Sequence, residues 1–206
     1  HADHDGLIMG GSKETQLTWM DAKFGGIVFT PRYGKAVEIN ALWYNALCLM
    51  GEYYAEADTQ KARYYHDLAD KAEDSFCKLF WNEEKKYLND CVFPDGKKDI
   101  SFRPNQVFAV SLPFSPLSLR RQQLIVSAVK DKLLTPYGLR TLDKENSRFA
   151  AQYQGGQDKR DAAYHQGTAW PYLIGAFVEA YLKVNDFSKE SKEQATGLIE
   201  QLLKDM

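Results

Sequence analysis

The spacing of apolar residues changes several times along the chain, and each change marks an element. Residues 1–35 are mostly polar or glycine, with one short apolar run at Gly26-Ile27-Val28-Phe29, and read as an ordered loop region. From Ala36 the spacing turns helical. Val37, Leu42, Tyr44, Ala46, Leu47, Leu49 and Met50 keep a broad apolar stripe to about Ala57. Asp58 or Thr59 can cap a second helix over 59–80, in which Ala62, Tyr65, Leu68, Ala69, Ala72, Phe76 and Leu79 recur at threes and fours. So short a join predicts an αα-hairpin. Residues 81–103 scatter Trp81, Tyr87, Leu88, Val92 and Phe93 among charges around a Pro94-Asp95-Gly96 turn, an excursion with a short hairpin. A third helix starts at Pro104, a residue suited to the first helical position, and ends near Leu112, before Pro113 and Pro116. Ser118 to Leu134 reads as a fourth helix. The polar segment 143–164, with Gly155-Gly156, reads as a long loop of the kind that carries function. A fifth helix starts between Thr168 and Pro171 and ends near Val184; a sixth, capped by Ser188, ends near Lys204.

This pattern predicts an all-α domain: six helices in three consecutive hairpins, with the elaborated loops between hairpins. Strands do not alternate with helices, which argues against a Rossmann fold or a β/α barrel. No repeat of solenoid length appears. Periodicity alone leaves two arrangements open, a small bundle and half of a closed ring of helix pairs.

Composition narrows the function classes. At 44% hydrophobic and 26% charged the chain has a globular balance, and a net charge of -2 gives no bulk attraction to nucleic acid or an anionic membrane. No apolar run is long enough for a transmembrane helix, and the first residues lack a signal peptide's basic start and apolar core. Cys48, Cys77 and Cys91 are odd in number and form no CxxC pair, so a reducing, cytoplasmic setting is expected rather than a disulfide framework or zinc site. His1-Ala2-Asp3-His4-Asp5-Gly6 starts like a calcium loop, but Ser12 stands where the closing Glu should fall. No metal or cofactor is expected.

Two clusters carry candidate chemistry. QLTWMDAK over residues 16–23 places Trp19, Asp21 and Lys23 in a segment too polar for core, followed by Arg32 and then by Glu38, Asn40 and Trp43 on the next helix. A tryptophan beside a carboxylate suits a sugar: one packs the ring face, the other donates a proton or binds hydroxyls. On spacing alone, Asp21 reads more readily as a surface carboxylate beside a buried tryptophan, while Glu38 can be a helix-dipole partner and Trp43 core. The second cluster, YHQGTAWPY over 164–172, sets His165, Gln166, Thr168 and Trp170 at a loop-to-helix junction, where free backbone N–H groups suit polar ligands. Arg103-Pro104-Asn105-Gln106 and Tyr137-Gly138-Leu139-Arg140-Thr141 are further hydrogen-bond-rich junctions. Signatures of serine hydrolases, zinc peptidases and phosphate loops are missing.

Six segments in order resemble the C-terminal glucosidase domain of glycogen-debranching enzymes of the bacterial and archaeal form: DGLI at 5–8, QLTWMDAK at 16–23, TPRYGKAVEINALWYNAL at 30–47, RPNQVFAVSLP at 103–113, TPYGLRTL at 135–142 and YHQGTAWPYLIGAFVEAY at 164–181. The resemblance implies an (α/α)6 glucoamylase-like barrel, of which residues 1–206 would be about half, the C-terminal part without its extreme end. It implies amylo-α-1,6-glucosidase activity, removing α-1,6-linked glucose at branch points of glycogen or branched α-glucan oligosaccharides. Such inverting hydrolysis pairs a general acid with a base that activates water, their carboxyls roughly 6.5–9.5 Å apart. Asp21 matches the family's general acid, and burial near Trp19 or a neighbouring carboxylate is expected to keep its proton. Trp19, Lys23, Arg32, Glu38, Asn40, Trp43, Gln106, His165, Gln166, Thr168 and Trp170 are expected to bind substrate, Lys23 and Arg32 by facing hydroxyls or else by pairing elsewhere. Tyr172 stands where the family usually has tryptophan. The family's WFADWGRD-like and SEIFDGD-like segments, the latter carrying the second carboxylate, are not in these residues, so the catalytic pair is expected to be incomplete here, and self-association or a partner half-domain is expected. Two alternatives stay open: another barrel glycosidase, acting on trehalose or oligosaccharide glucose, and a non-catalytic glucan-binding or interaction module.

Overall fold

A computed structural model describes residues 1–204, without the side chain of Gln201. Its first helical unit is the expected hairpin. Helix α1, Val37–Tyr54, is joined by a short turn to α2, Thr59–Phe80, and the Asp58 side chain caps α2 by accepting from the Lys61 backbone N–H at 3.0 Å. Val37, Ala41, Tyr44 and Leu47 face Ala69, Ala72, Phe76 and Phe80 across the pair. A 3-10 turn, Pro104–Val107, runs into the short helix α3, Phe108–Ser111; α4 is Leu119–Lys132, α5 is Gln157–Tyr164, α6 is Leu173–Val184 and α7 is Lys189–Lys204. Helix α6 is the hub of the second half, touching α3, α4 and α7, and its Phe177 and Ala180 are fully buried. Among the described residues no helix is long and apolar enough to cross a membrane. The three cysteines are free, with the Cys77 thiol near the Pro116 carbonyl.

The all-α expectation, and the half-ring of helix hairpins drawn with it, is overturned. The molecule is 48% helical but 12% strand, in several small antiparallel sheets. Strands β1, Lys23–Phe24, and β2, Ile27–Val28, form a hairpin closed by Gly25 and Gly26, both at positive φ, the geometry a tight two-residue turn requires. Strand β3, Lys35–Ala36, runs directly into α1 and pairs with β6, Cys91–Val92, which pairs with β7, Lys98–Asp99. Strands β4, Trp81–Asn82, and β5, Tyr87–Leu88, form a hairpin. Strand β9, Gly138–Arg140, is flanked by β8, Leu134–Thr135, and β10, Ala169–Trp170. Strands this short have no room to show the alternating pattern by which a strand is recognised. Helix α5 lies inside the expected long loop; residues 151–160 are exposed throughout, so no apolar stripe announces it.

The sheets bring the candidate segments together. Gly138 (φ 135°) lies so close to the Trp170 carbonyl that a Cβ would collide with it; glycine is what lets β9 pair with the strand carrying Trp170. One face remains uncovered: Leu42, Ala46, Leu49 and Tyr53 form an exposed stripe along α1.

Candidate functional site

The site rests on a buried charge network. Arg32, on the strand-like segment before α1, donates from Nη1 and Nη2 to the two carboxylate oxygens of Glu38, each at 2.5 Å. Its Nε donates to Asp90 Oδ2 at 2.7 Å. Asp90, preceding β6, also accepts from Asn105 Nδ2 at 2.7 Å and lies 3.7 Å from Arg103 Nε. Burial opposes the Arg32 charge, but Asp90 and Glu38 outweigh it and hold the guanidinium above its usual range. Burial alone would push the Asp90 carboxyl up. The donors converging on it are those an ionised carboxylate accepts, and we take it as charged. Burial brings Arg103 down to about 10, with Asp90 and Asp99 opposing. Arg103 ties the halves of the molecule together, donating to the carbonyls of Thr141 and His165 at 3.0 and 2.7 Å and to Gln166 Oε1 at 2.9 Å.

An aromatic cluster lies against this network. The Trp19 ring meets His165 at 5.2 Å, Tyr172 at 5.3 Å and Trp170 at 5.9 Å, all edge to face. The indole N–H of Trp19 donates to Asn105 Oδ1 at 2.8 Å, and that of Trp170 to the Tyr164 carbonyl at 3.1 Å. With both donors committed, these rings offer only apolar surface. Tyr172 is 52% exposed and is the member of the cluster open to a ligand.

Asp21 follows directly. Its neighbours Met20 and Ala22 are buried, and Asp21 between them is exposed. The expected burial against Trp19 is absent. Lys23 and Arg32 pair elsewhere: the Lys23 ammonium donates to the Glu14 carbonyl at 3.1 Å, and Arg32 is locked between Glu38 and Asp90. Asn40 serves as a brace, accepting from the Ile8 N–H and donating to the Ile8 and Ala36 carbonyls. Trp43 donates to the Gly6 carbonyl, and Gln106 bridges the Leu88 N–H and the Arg103 carbonyl. The amide N–H of Gln166 reaches the Phe29 carbonyl and Thr30 Oγ1. The Thr168 hydroxyl donates to the Ala163 carbonyl, while its own carbonyl accepts from Thr141. Of the expected residues, then, Trp19, His165 and Trp170 meet in one cluster, Arg32, Glu38 and Gln166 belong to the network beneath it, and Asn40, Trp43 and Gln106 brace backbone. Asp90, Arg103, Asn105 and Tyr172 join the site although none was among the residues expected to bind substrate. Arg103, Asn105 and Tyr172 stood in flagged motifs; Asp90 sat among charges with no local signal. A groove of about 220 Å³ lined by Leu17, Thr18 and Arg32 flanks the segment leading to Asp21, whereas a cavity of about 480 Å³ near Tyr87, Phe102 and Lys132 has no part in it.

His165 is 1% exposed and its Nδ1 has no partner among the described residues. Burial, with Arg103 and Arg32 adding to it, lowers its pKa from 6.5 to about 4. The folded state therefore binds this proton less well than the unfolded chain. The stability from the neutral ring is complete above about pH 6.5 and is lost as pH falls toward 4, a change of about 3 kcal/mol. Denaturant unfolding across that window is expected to weaken the native chain more than His165→Phe; equal acid sensitivity of the two would refute the assignment.

The chain is 32% identical over 222 residues to the glycogen debranching enzyme of Saccharomyces cerevisiae, a match covering 85% of this chain and 14% of that protein's length. Among solved structures, neutral trehalase Nth1 from Saccharomyces cerevisiae superimposes with a TM-score of 0.49 at 12% identity, covering 82% of this chain and 40% of that one. The family model described as amylo-alpha-1,6-glucosidase matches residues 1–206. The chain belongs to the amylo-alpha-1,6-glucosidase family, a family of glycoside hydrolases.

Proposed function

We propose that this chain takes part in removing α-1,6-linked glucose from glycogen or branched α-glucan oligosaccharides, with Asp21 as the general acid. The observation that carries this reading is the family match over residues 1–206, which includes the segment bearing Asp21. In the proposed step the Asp21 carboxyl gives its proton to the glycosidic oxygen as the bond from that oxygen to C1 of the glucose breaks, and water adds to C1 on the opposite face, giving up its own proton to a second, general-base carboxylate. Tyr172 and the edges of Trp19 and Trp170 supply an apolar surface for a sugar ring. A glucan seated there would displace water from Asp21, which stands open in the free chain. Glu38 has both oxygens committed to Arg32, so the water-activating role is not given to it. The three free cysteines support a cytoplasmic setting.

The exposure of Asp21 favours one second reading, a module that binds glucan without cleaving it. Glucose release measured on a panose-type α-1,6-glucoside, a limit dextrin and trehalose separates the possibilities. The proposal expects release from the first two and none from trehalose. Binding of the limit dextrin without release would support the binding module, and cleavage of trehalose would move the chain to another glycosidase specificity.

A further inference from the structure

Asn105 is fully buried and none of its sequence neighbours is near the Asp21 segment in the chain. Its side chain nevertheless grips both residues preceding Asp21. Its Oδ1 accepts the Trp19 indole N–H at 2.8 Å, while its Nδ2 donates to Asp90 Oδ1 at 2.7 Å and lies 3.5 Å from Met20 Sδ. An indole nitrogen only donates and an ionised carboxylate only accepts. The group between them must therefore offer one acceptor and one donor on a rigid plane, which an amide does. Leucine would leave both partners unsatisfied, and an aspartate would set two carboxylates against each other in a buried site. Asp90, held by Arg32, orients the amide so that its oxygen faces Trp19. Met20 is pinned from a second side by Arg103 Nη1 at 3.9 Å from its sulfur.

We infer that Asn105 is a positioning residue for Asp21: by fixing Trp19 and Met20 against the 3-10 turn it sets where the exposed carboxylate stands. Asp90 acts through Asn105 by setting the direction of its amide. This role rests on the reading of Asp21 as the general acid, but its geometry is testable without any catalysis.

The test is a polarity swap, followed by NMR on isotope-labelled chain, with Trp19→Phe assigning the indole signal. Asn105→Asp keeps an acceptor for the Trp19 indole but loses the donor to Asp90 and sets two carboxylates against each other; their repulsion is expected to turn the side chain away, speeding exchange of the Trp19 indole proton by about tenfold and lowering the backbone order of residues 19–22 while α1 and α2 amides stay protected. Asn105→Asp combined with Asp90→Asn restores a donor opposite an acceptor at unchanged net charge, and should recover most of the indole protection. Asn105→Ala, which removes the amide without adding charge, carries the same expectation as the single swap and serves where that variant does not fold. On the panose-type substrate, these variants are expected to lower kcat with KM little changed. The inference is overturned if the indole stays protected in Asn105→Ala, or if the segment keeps its order there, or if the folded double variant recovers nothing. If the NMR behaves as expected while Asp21→Asn leaves hydrolysis intact, the clamp stands and the functional reading fails.

Discussion

Replacing Asp21 with asparagine is expected to lower glucose release from an α-1,6-branched substrate by about a hundred- to ten-thousand-fold, the contribution of a positioned general acid. The substitution keeps shape and volume and removes only the transferable proton. Because Asp21 is exposed between the buried Met20 and Ala22, its replacement is expected to change stability by no more than about 0.5 kcal/mol. The loss should therefore appear in kcat, with limit-dextrin binding retained and an unaltered unfolding curve. Unchanged kcat would remove Asp21 from the chemistry. A loss that tracked unfolding would make it a structural residue instead.

The largest stability effect is expected at Arg32. Its guanidinium is the shared partner of two carboxylates, Glu38 and Asp90, and the three side chains are 1–4% exposed. Arg32→Met keeps much of the stem and removes the charge, leaving two buried carboxylates without their main partner. Breaking such a pair costs about 3–5 kcal/mol. Arg32→Lys should recover little, since an ammonium cannot satisfy Glu38 through two parallel bonds while also reaching Asp90. The pH dependence of the deficit separates this from simple loss of packing. Unpaired buried carboxylates bind protons more readily folded than unfolded, so the Arg32→Met deficit should shrink as pH falls from about 7 toward 4. Urea unfolding at the two ends of that window reads it. A deficit below about 1 kcal/mol, or one that grows with acid, would show that the network contributes less than its geometry implies.

The helices were legible wherever a helix buries a long apolar stripe. Helix α2 occupies Thr59–Phe80, the span marked by its apolar repeat, α6 ends at Val184 as expected, and the Ser188 side chain caps the start of α7. The third helix was only partly right, because its first turn is 3-10. Helix α5 and most of the small sheets were not legible, the first because it is polar and exposed, the second because two or three residues carry no period; the hairpin expected in 81–103 was announced by its Pro94-Asp95-Gly96 turn, which joins β6 to β7. The same distinction runs through the site. Ordered motifs identified the family and drew attention to Asp21, Trp19, His165 and Trp170. They did not separate side chains that surround the site from those that brace it, since Asn40, Trp43 and Gln106 stand in the same motifs and bind backbone.

Local order along the chain was enough to determine the main helices, the absence of a metal-loop pattern at Asp3 and Asp5, and the family. Tertiary structure alone decided which polar side chains remain free, because a hydrogen bond is settled by partners distant in sequence. Asp3 and Asp5 close on Lys35, Glu38 and Asp90 close on Arg32, and Asn105 reaches back to Trp19 across 86 residues. Burial makes the Arg32 and Asn105 partnerships obligatory, since an unpaired charge or amide in the interior costs more than the fold can spare. Asp21 is among the side chains left in solvent after those pairings, and Tyr172 is the exposed member of the aromatic cluster.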